Sequence, residues 1–369
     1  SMYLAKYIDK DPDGTPNGIL HEEACLKYAQ PFMYDTPLEI ACEIEGQLIN
    51  DLLANGVTMF NDVSGITPGR SYKALETLEK NGNLKMRINI ADGLDIGCDI
   101  SHARSLDEKY HSPFLQQTSI KGVVDGVTST FTGLLLEPYS DKPDTSGVPA
   151  YSYEELRKAV IFANKEGYGV RLHCIGDKAV RWALDIFEES SEINDCTGLR
   201  NCVEHIESIS PEDIGRFGKL GVVASMQPRH LPLDANEQKS RLGEERWKTG
   251  WVFKSILEAG GMLAFGTDFP VVPYDPFATI YYAVTRNGYD HRPAGCNPEQ
   301  KLTVAETLKA YTYGSAYSCG REHELGTLEP GKIADIIAVD KNLFTVDPEE
   351  IPDAKVMMTV VDGKIVYEA

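Results

Sequence analysis

The feature that most constrains this chain is an alternation of short apolar runs with longer amphipathic stretches, sustained from residue 56 to residue 266. The short runs fall at residues 56–60, 86–90, 120–124, 169–173, 201–205, 222–226 and 262–266. They are apolar on both faces, as strands of a parallel sheet covered by helices must be. The stretches between them carry helix signatures. Ser152 stands where a cap belongs, and Glu155 stands at the capping-box position three residues on. Leu156, Ala159, Val160 and Ala163 follow at helical spacing, and the pattern ends near Gly167. Residues 177–189 repeat the theme with Val180, Ala183, Leu184 and Phe187 on one face. Repeated strand–helix units mean an α/β fold, doubly wound or closed as a barrel. Seven strands are legible; a closed eight-stranded barrel asks for one more.

After about residue 325 the pattern changes. Residues 326–332 form a turn-rich junction, followed by strand-like runs at 334–339, 356–361 and 364–367. Asp362-Gly363 between the last two is a hairpin signal. The tail is too short for a core of its own and must pack on something. The division expected is therefore a barrel over 1–325 and a β-rich segment over 326–369.

Charge narrows the partners. The chain holds 36 Lys+Arg against 56 Asp+Glu, a net charge of −20. That balance excludes a phosphate-backbone partner and repels an anionic membrane surface. No run approaches a membrane span, no signal peptide opens the chain, and eight scattered cysteines form no Cys-x-x-Cys. A cytoplasmic protein with reduced thiols is the expectation.

Four residues at strand ends stand out: Lys121, His173, His205 and Asp268. Barrels place their active sites at the C-terminal ends of their strands and allot about 31 residues to each unit. His173 and His205 are 32 residues apart, one unit, and His205 and Asp268 are 63 apart, two units. Lys121 and His173 are 52 apart, one unit plus an insertion that the polar 138–149 loop supplies. The four thus fit strands four, five, six and eight. Each also has a plainer role open to it. The histidines could be buried and bonded to backbone, Asp268 could cap the next helix, and Lys121 could sit on an exposed edge. Jointly, imidazoles and a carboxylate converging on a barrel mouth suit a divalent cation such as zinc.

Read in order, the motifs resemble the amidohydrolase superfamily, in the branch that holds N-substituted formamide deformylases. The likeness runs over essentially the whole chain, from Asp13-Gly14-Thr15-Pro16-Asn17-Gly18-Ile19-Leu20 onward. It continues through Gly56-Val57-Thr58, His173-Cys174-Ile175-Gly176-Asp177-Lys178-Ala179-Val180 and Val203-Glu204-His205-Ile206. Ser225-Met226-Gln227-Pro228-Arg229-His230, Phe265-Gly266-Thr267-Asp268-Phe269-Pro270-Val271 and Leu328-Glu329-Pro330-Gly331-Lys332-Ile333-Ala334-Asp335 complete it.

The resemblance implies a distorted TIM-type (β/α)8 barrel beside a small β-sandwich built from both chain ends, and a hydrolase using one or two metal ions. By the same resemblance His173 and His205 are metal ligands, and Asp268 binds metal or water and shuttles the proton. Lys121 matches a fourth-strand lysine that bridges two metals when carboxylated. His230 and Arg286 are candidate substrate contacts, with a loop histidine and a surface ion pair as their plainer roles. The substrate class implied is a small amide, formamide or cyclic amide.

One departure is large. The superfamily's first metal pair is a His-x-His at the end of strand one. The histidines here are 21, 102, 111, 173, 205, 230, 291 and 323, no two of them two apart. Strand one and the leading sandwich segment are missing as well. The expectation is a C-terminal portion of a longer enzyme, inactive by itself and able to self-associate through an exposed sheet edge. The competing reading is a non-catalytic or regulatory barrel that has lost its metal centre. His21, His102, His111, His291 and His323 are read as surface residues. The 138–149 and 228–250 segments are read as the specificity loops, and Trp247, Trp251 and Tyr274 near the mouth either line an apolar pocket or pack in the core.

Overall fold

The fold, taken from a computed structural model, is described for residues 8–20, 28, 36–65, 72–287 and 297–369. His21 and His291 lie outside the described residues. A hairpin of β1 (Ile8–Lys10) and β2 (Pro16–Leu20) comes first. Then seven parallel strands pair in strict chain order: β3 (Met59–Gly65), β4 (Arg87–Gly93), β5 (Leu115–Val123), β6 (Val170–Cys174), β7 (Cys202–His205), β8 (Val223–Met226) and β9 (Met262–Phe265). All seven strands expected from the sequence are present.

The sheet curls, and the contacts of one segment show it. Ser318 accepts from Asn61 on β3 and from Arg171 on β6, and Cys319 accepts from Asn89 on β4. Ser315 donates to the Phe265 carbonyl on β9. Strands this far apart in the pairing order reach one segment only if the sheet wraps around it. The architecture is a distorted (β/α) barrel with helices outside.

Alternation along the strands sorts the core. Val170, Leu172 and Cys174 face the helices, packed with Leu156, Val160, Ala163, Val180, Ala183, Leu184 and Phe187. Those helix positions are the ones the 3.6-residue period marks. The intervening strand residues, Ser119, Lys121, Arg171, His173 and Glu204, turn to the interior and make it polar. Strands that read as apolar on both faces are thus two-sided, and the polar side holds the chemistry. Ser152 caps the helix Tyr153–Lys165 with Glu155 closing the capping box.

The tail forms a three-stranded antiparallel sheet of β10 (Ile336–Val339), β11 (Val356–Val361) and β12 (Lys364–Glu368). It does pack on the barrel. Val361 joins the cluster of Ile49, Leu53, Ile88 and Ile90, and Val356 joins Phe277, Ile280 and Tyr281. Arg87, fully buried on β4, donates through Nε to Asp335 at 2.8 Å and through Nη1 to the Pro113 carbonyl at 3.0 Å.

The sequence reading is amended at the 228–250 segment. It is a short turn, Pro228–His230, leading into the helix Leu231–Trp247, with non-helical backbone at Gly243. Of the two roles open to Trp247 and Trp251, they take the core one, in the main hydrophobic cluster. The helix instead welds to the insertion after β5. Leu242 packs with Leu135 and Tyr139, and Arg246 donates to the Glu137 and Pro138 carbonyls at 3.0 and 2.8 Å.

Candidate metal centre

Four of the six expected site residues have strong structural reasons to meet. His173 is the last but one residue of β6 and His205 ends β7, and their rings meet edge-to-face with centroids 4.4 Å apart. His230, in the turn after β8, stacks nearly parallel to His205 at 6.1 Å. Asp268 follows β9, and one ligand atom each from His205, His230 and Asp268 lies within 4.8 Å of the others. It is not a helix cap: Asp275 caps the next helix, accepting from the Phe277 amide at 2.9 Å.

Backbone strain marks the same place. His205 sits at φ 77° and Asp268 at φ 57°, in the left-handed region that non-glycine residues avoid. Such conformations cost about 1–3 kcal/mol each and persist where the surroundings over-determine them.

Lys121 is buried on β5, not on an exposed edge. Burial lowers its pKa, against the opposing pull of the Glu204 and Asp268 carboxylates. Burial takes His173 down to about 3, with the Lys121 charge acting in the same direction. His205 falls well below its ordinary value for the same first reason, aided by His173 and Lys121. Both imidazoles are therefore neutral at pH 7, the form that offers a lone pair to a cation. His230 goes the other way: burial opposes its protonation, but Glu207 and Asp268 outweigh that and raise it. Asp268 is raised, chiefly by burial.

Neighbours fix these groups. Gln227 Oε1 takes the His205 Nδ1 hydrogen at 2.9 Å, and the Thr267 carbonyl lies 3.2 Å from His230 Nε2. His173 Nε2 reaches the Gly126 carbonyl at 3.3 Å. Glu207, 3.8 Å from His230 Nδ1, is an electrostatic neighbour rather than a hydrogen-bond partner, and accepts from Gln238 at 3.0 Å. Asp125 accepts from the amides of Leu134, Ile175 and Gly176 at 2.7–3.0 Å, joining the β5 insertion to the end of β6. Burial lifts its pKa to about 7 despite those three bonds.

Arg286 meets backbone carbonyls among the described residues. Buried at the end of the helix Pro276–Thr285, it donates to the Trp251 and Gly250 carbonyls at 2.9 and 3.4 Å. His102, His111 and His323 are exposed, as expected. Sequence reasoning gave no role to Asp125, Glu204, Glu207 or Gln227. Glu204 and Gln227 lie inside motifs already singled out, and Asp125 and Glu207 lie within two residues of a strand end. Strand-end position was the signal that could have found them.

The donor set fits a divalent cation: imidazoles oriented by acceptors, of which His173 and His205 are neutral, and a carboxylate within reach. Fold and site together are those of an α/β barrel with a candidate cation site at the C-terminal ends of its strands. The chain belongs to the amidohydrolase family, whose model matches residues 6–367. It is 30% identical over 374 residues to the Protein LONG AFTER FAR-RED 3 of Arabidopsis thaliana, covering 98% of this chain and 63% of that one. It is 26% identical to the N-substituted formamide deformylase of Arthrobacter pascens, covering 98% of this chain and 67% of the relative. A crystal structure of an uncharacterized metal-dependent hydrolase from Pyrococcus horikoshii matches at TM-score 0.76 and 28% identity, over 94% of this chain and 69% of that one. The chain thus spans about two thirds of the length of these proteins. Among the described residues, no helix is long and apolar enough to cross a membrane.

Proposed function

We propose that the protein hydrolyses a non-peptide C–N bond, in a small amide, formamide or cyclic amide, with a divalent cation, zinc by its donor set. The convergence of His205, His230 and Asp268 within 4.8 Å, beside His173 and the buried Lys121, carries this reading. The likeness to a formamide deformylase supports the substrate class.

A divalent cation held by these strand-end residues would supply Lewis acidity, lowering the pKa of water toward ~7 and polarising a carbonyl. The protein's own residues do the rest. Asp268 accepts the proton of the attacking water and passes it to the leaving nitrogen. Burial raises its pKa and so makes it a better base than an exposed carboxylate. Gln227 and Thr267 hold the imidazoles in one tautomer. The helix Leu231–Trp247, locked to the β5 insertion, shapes the approach. The products are a carboxylate, or formate, and an amine.

The test is hydrolysis of N-formyl amines and cyclic amides by the protein, with metal content measured in parallel. Asp268→Asn is expected to lower kcat by about 10²–10⁴-fold, the range of a lost general base. Full activity in that variant would remove Asp268 from the mechanism.

A further inference from the structure

We infer that the group carried on the substrate's leaving nitrogen is uncharged and apolar, an aryl or branched alkyl substituent held on a rim of exposed apolar side chains led by Phe269. This rests on the hydrolytic reading above and names the part of the substrate which that reading leaves open.

Three observations carry it. The first is where the barrel leaves apolar surface in water. Tyrosines aside, the large apolar side chains exposed among the described residues between 72 and 320 are Leu136, Val148, Ile193, Leu233, Phe269 and Val271. All but Ile193 lie on the segments that follow β5, β8 and β9, at the C-terminal ends of the strands. Phe269 and Val271, directly after Asp268, are 48% and 58% exposed. Scattered apolar groups need no explanation, but a set gathered around one polar recess marks a ligand surface.

The second observation is that this rim is held in place. The Val271 amide donates to the Asp268 carbonyl at 2.9 Å, and the Phe269 ring meets Tyr274 edge-on with centroids 5.1 Å apart. Arg229, beside His230, donates to the Pro273 carbonyl at 3.0 Å and so ties the segment after β8 to the segment after β9. The Leu136 amide donates to Asp177 Oδ1 at 2.8 Å. A surface fixed beforehand loses little freedom when a ligand settles on it.

The third observation is charge. The arginines of these segments are Arg229, Arg241 and Arg246, and each is already engaged. Arg229 holds its carbonyl, Arg241 pairs with Asp141 and Glu237, and Arg246 donates to the Glu137 and Pro138 carbonyls. Among the described residues these segments therefore offer a substrate carboxylate no uncommitted guanidinium, while Asp268 and Glu207 face it with negative charge. The side of the bond follows from the proton. Asp268 passes it to the leaving nitrogen as the C–N bond breaks, so that nitrogen lies at Asp268 and its substituent beside Phe269.

The experiment gives the protein formamides that share the formyl group and carry methyl, isobutyl, carboxymethyl or benzyl on nitrogen. kcat/KM is expected to rise about fourfold for each methylene the rim covers. The carboxymethyl compound should fall at least about tenfold below isobutyl, its near-isostere. Phe269→Ala should lower the benzyl-to-methyl ratio of kcat/KM by at least about fivefold, through KM more than kcat, and Phe269→Leu should restore part of it. Ile193→Ala, at an exposed site off the rim, should leave the ratio unchanged. A flat series, a preference for carboxymethyl over isobutyl, or a ratio unmoved in Phe269→Ala overturns the inference and leaves hydrolysis standing. Should no formamide be hydrolysed, the formamide part of the functional reading fails, and calorimetric Kd values for the same compounds judge the rim separately. Binding that weakens in the order benzyl, isobutyl, methyl, carboxymethyl upholds it; any other order, or no binding, overturns it.

Discussion

The floor and the mouth of the barrel are built from the same strands, two residues apart, yet they treat polar groups in opposite ways. At the floor Arg171 is wholly enclosed. It donates to Glu204 at 2.9 Å, to the Ser318 carbonyl and hydroxyl at 2.7 and 2.8 Å, and to Ser119 at 3.2 Å. At the mouth His173, next on the same face of β6, reaches the Gly126 carbonyl at 3.3 Å. Floor charges are neutralised inside the chain. Mouth groups are desolvated and oriented, with one ligand atom each of His205, His230 and Asp268 within 4.8 Å of the others, an arrangement that makes sense when something outside the chain completes it. Burial alone therefore does not mark a functional group; its partners do.

The sharpest way to break this contrast is Arg171→Met, which strands the buried Glu204. A loss of about 3–5 kcal/mol in urea unfolding is expected, and Arg171→Met with Glu204→Met should recover most of it. A loss under about 1 kcal/mol would mean the floor pair is not structural.

A smaller effect separates the two regions by pH. His173 titrates at about 3 in the fold against an ordinary 6.5, so the unfolded chain binds the extra proton between those values. Its contribution is complete above about pH 6.5 and is lost as pH falls toward 3. Asp125, raised to about 7 from 3.8, has the opposite sign: its contribution is complete below about pH 4 and is lost as pH rises through 7. Unfolding midpoints across pH 4–7 should fall less on acidification in His173→Asn, and more in Asp125→Asn, than in the unsubstituted chain. Parallel curves for all three would place these groups outside the linkage.

The smallest effect belongs to neither region and sets the baseline. Ser152→Ala removes one capping box on an outer helix and should cost about 1 kcal/mol, measured by the same unfolding, with cation binding untouched.

Much of this was legible beforehand. The strand ends carrying Lys121, His173, His205 and Asp268 follow from unit spacing, and the helix faces follow from periodicity. The 228–250 segment was less legible because Pro228, Pro232 and Gly243 punctuate it, yet Pro at a first turn starts a helix as readily as it ends one. The setting of Arg286 was less legible for another reason: nothing local says that its guanidinium meets a carbonyl contributed 35 residues earlier.

The sequence by itself determined the unit repeat, the polar residues at strand ends and the family, because periodicity and motif order are local properties of the chain. Only the tertiary structure decided which of those residues meet. His230 joins His205 and Asp268, Arg171 takes Glu204, and Lys121 is enclosed, because strand pairing and the curl of the sheet set distances that spacing along the chain does not contain.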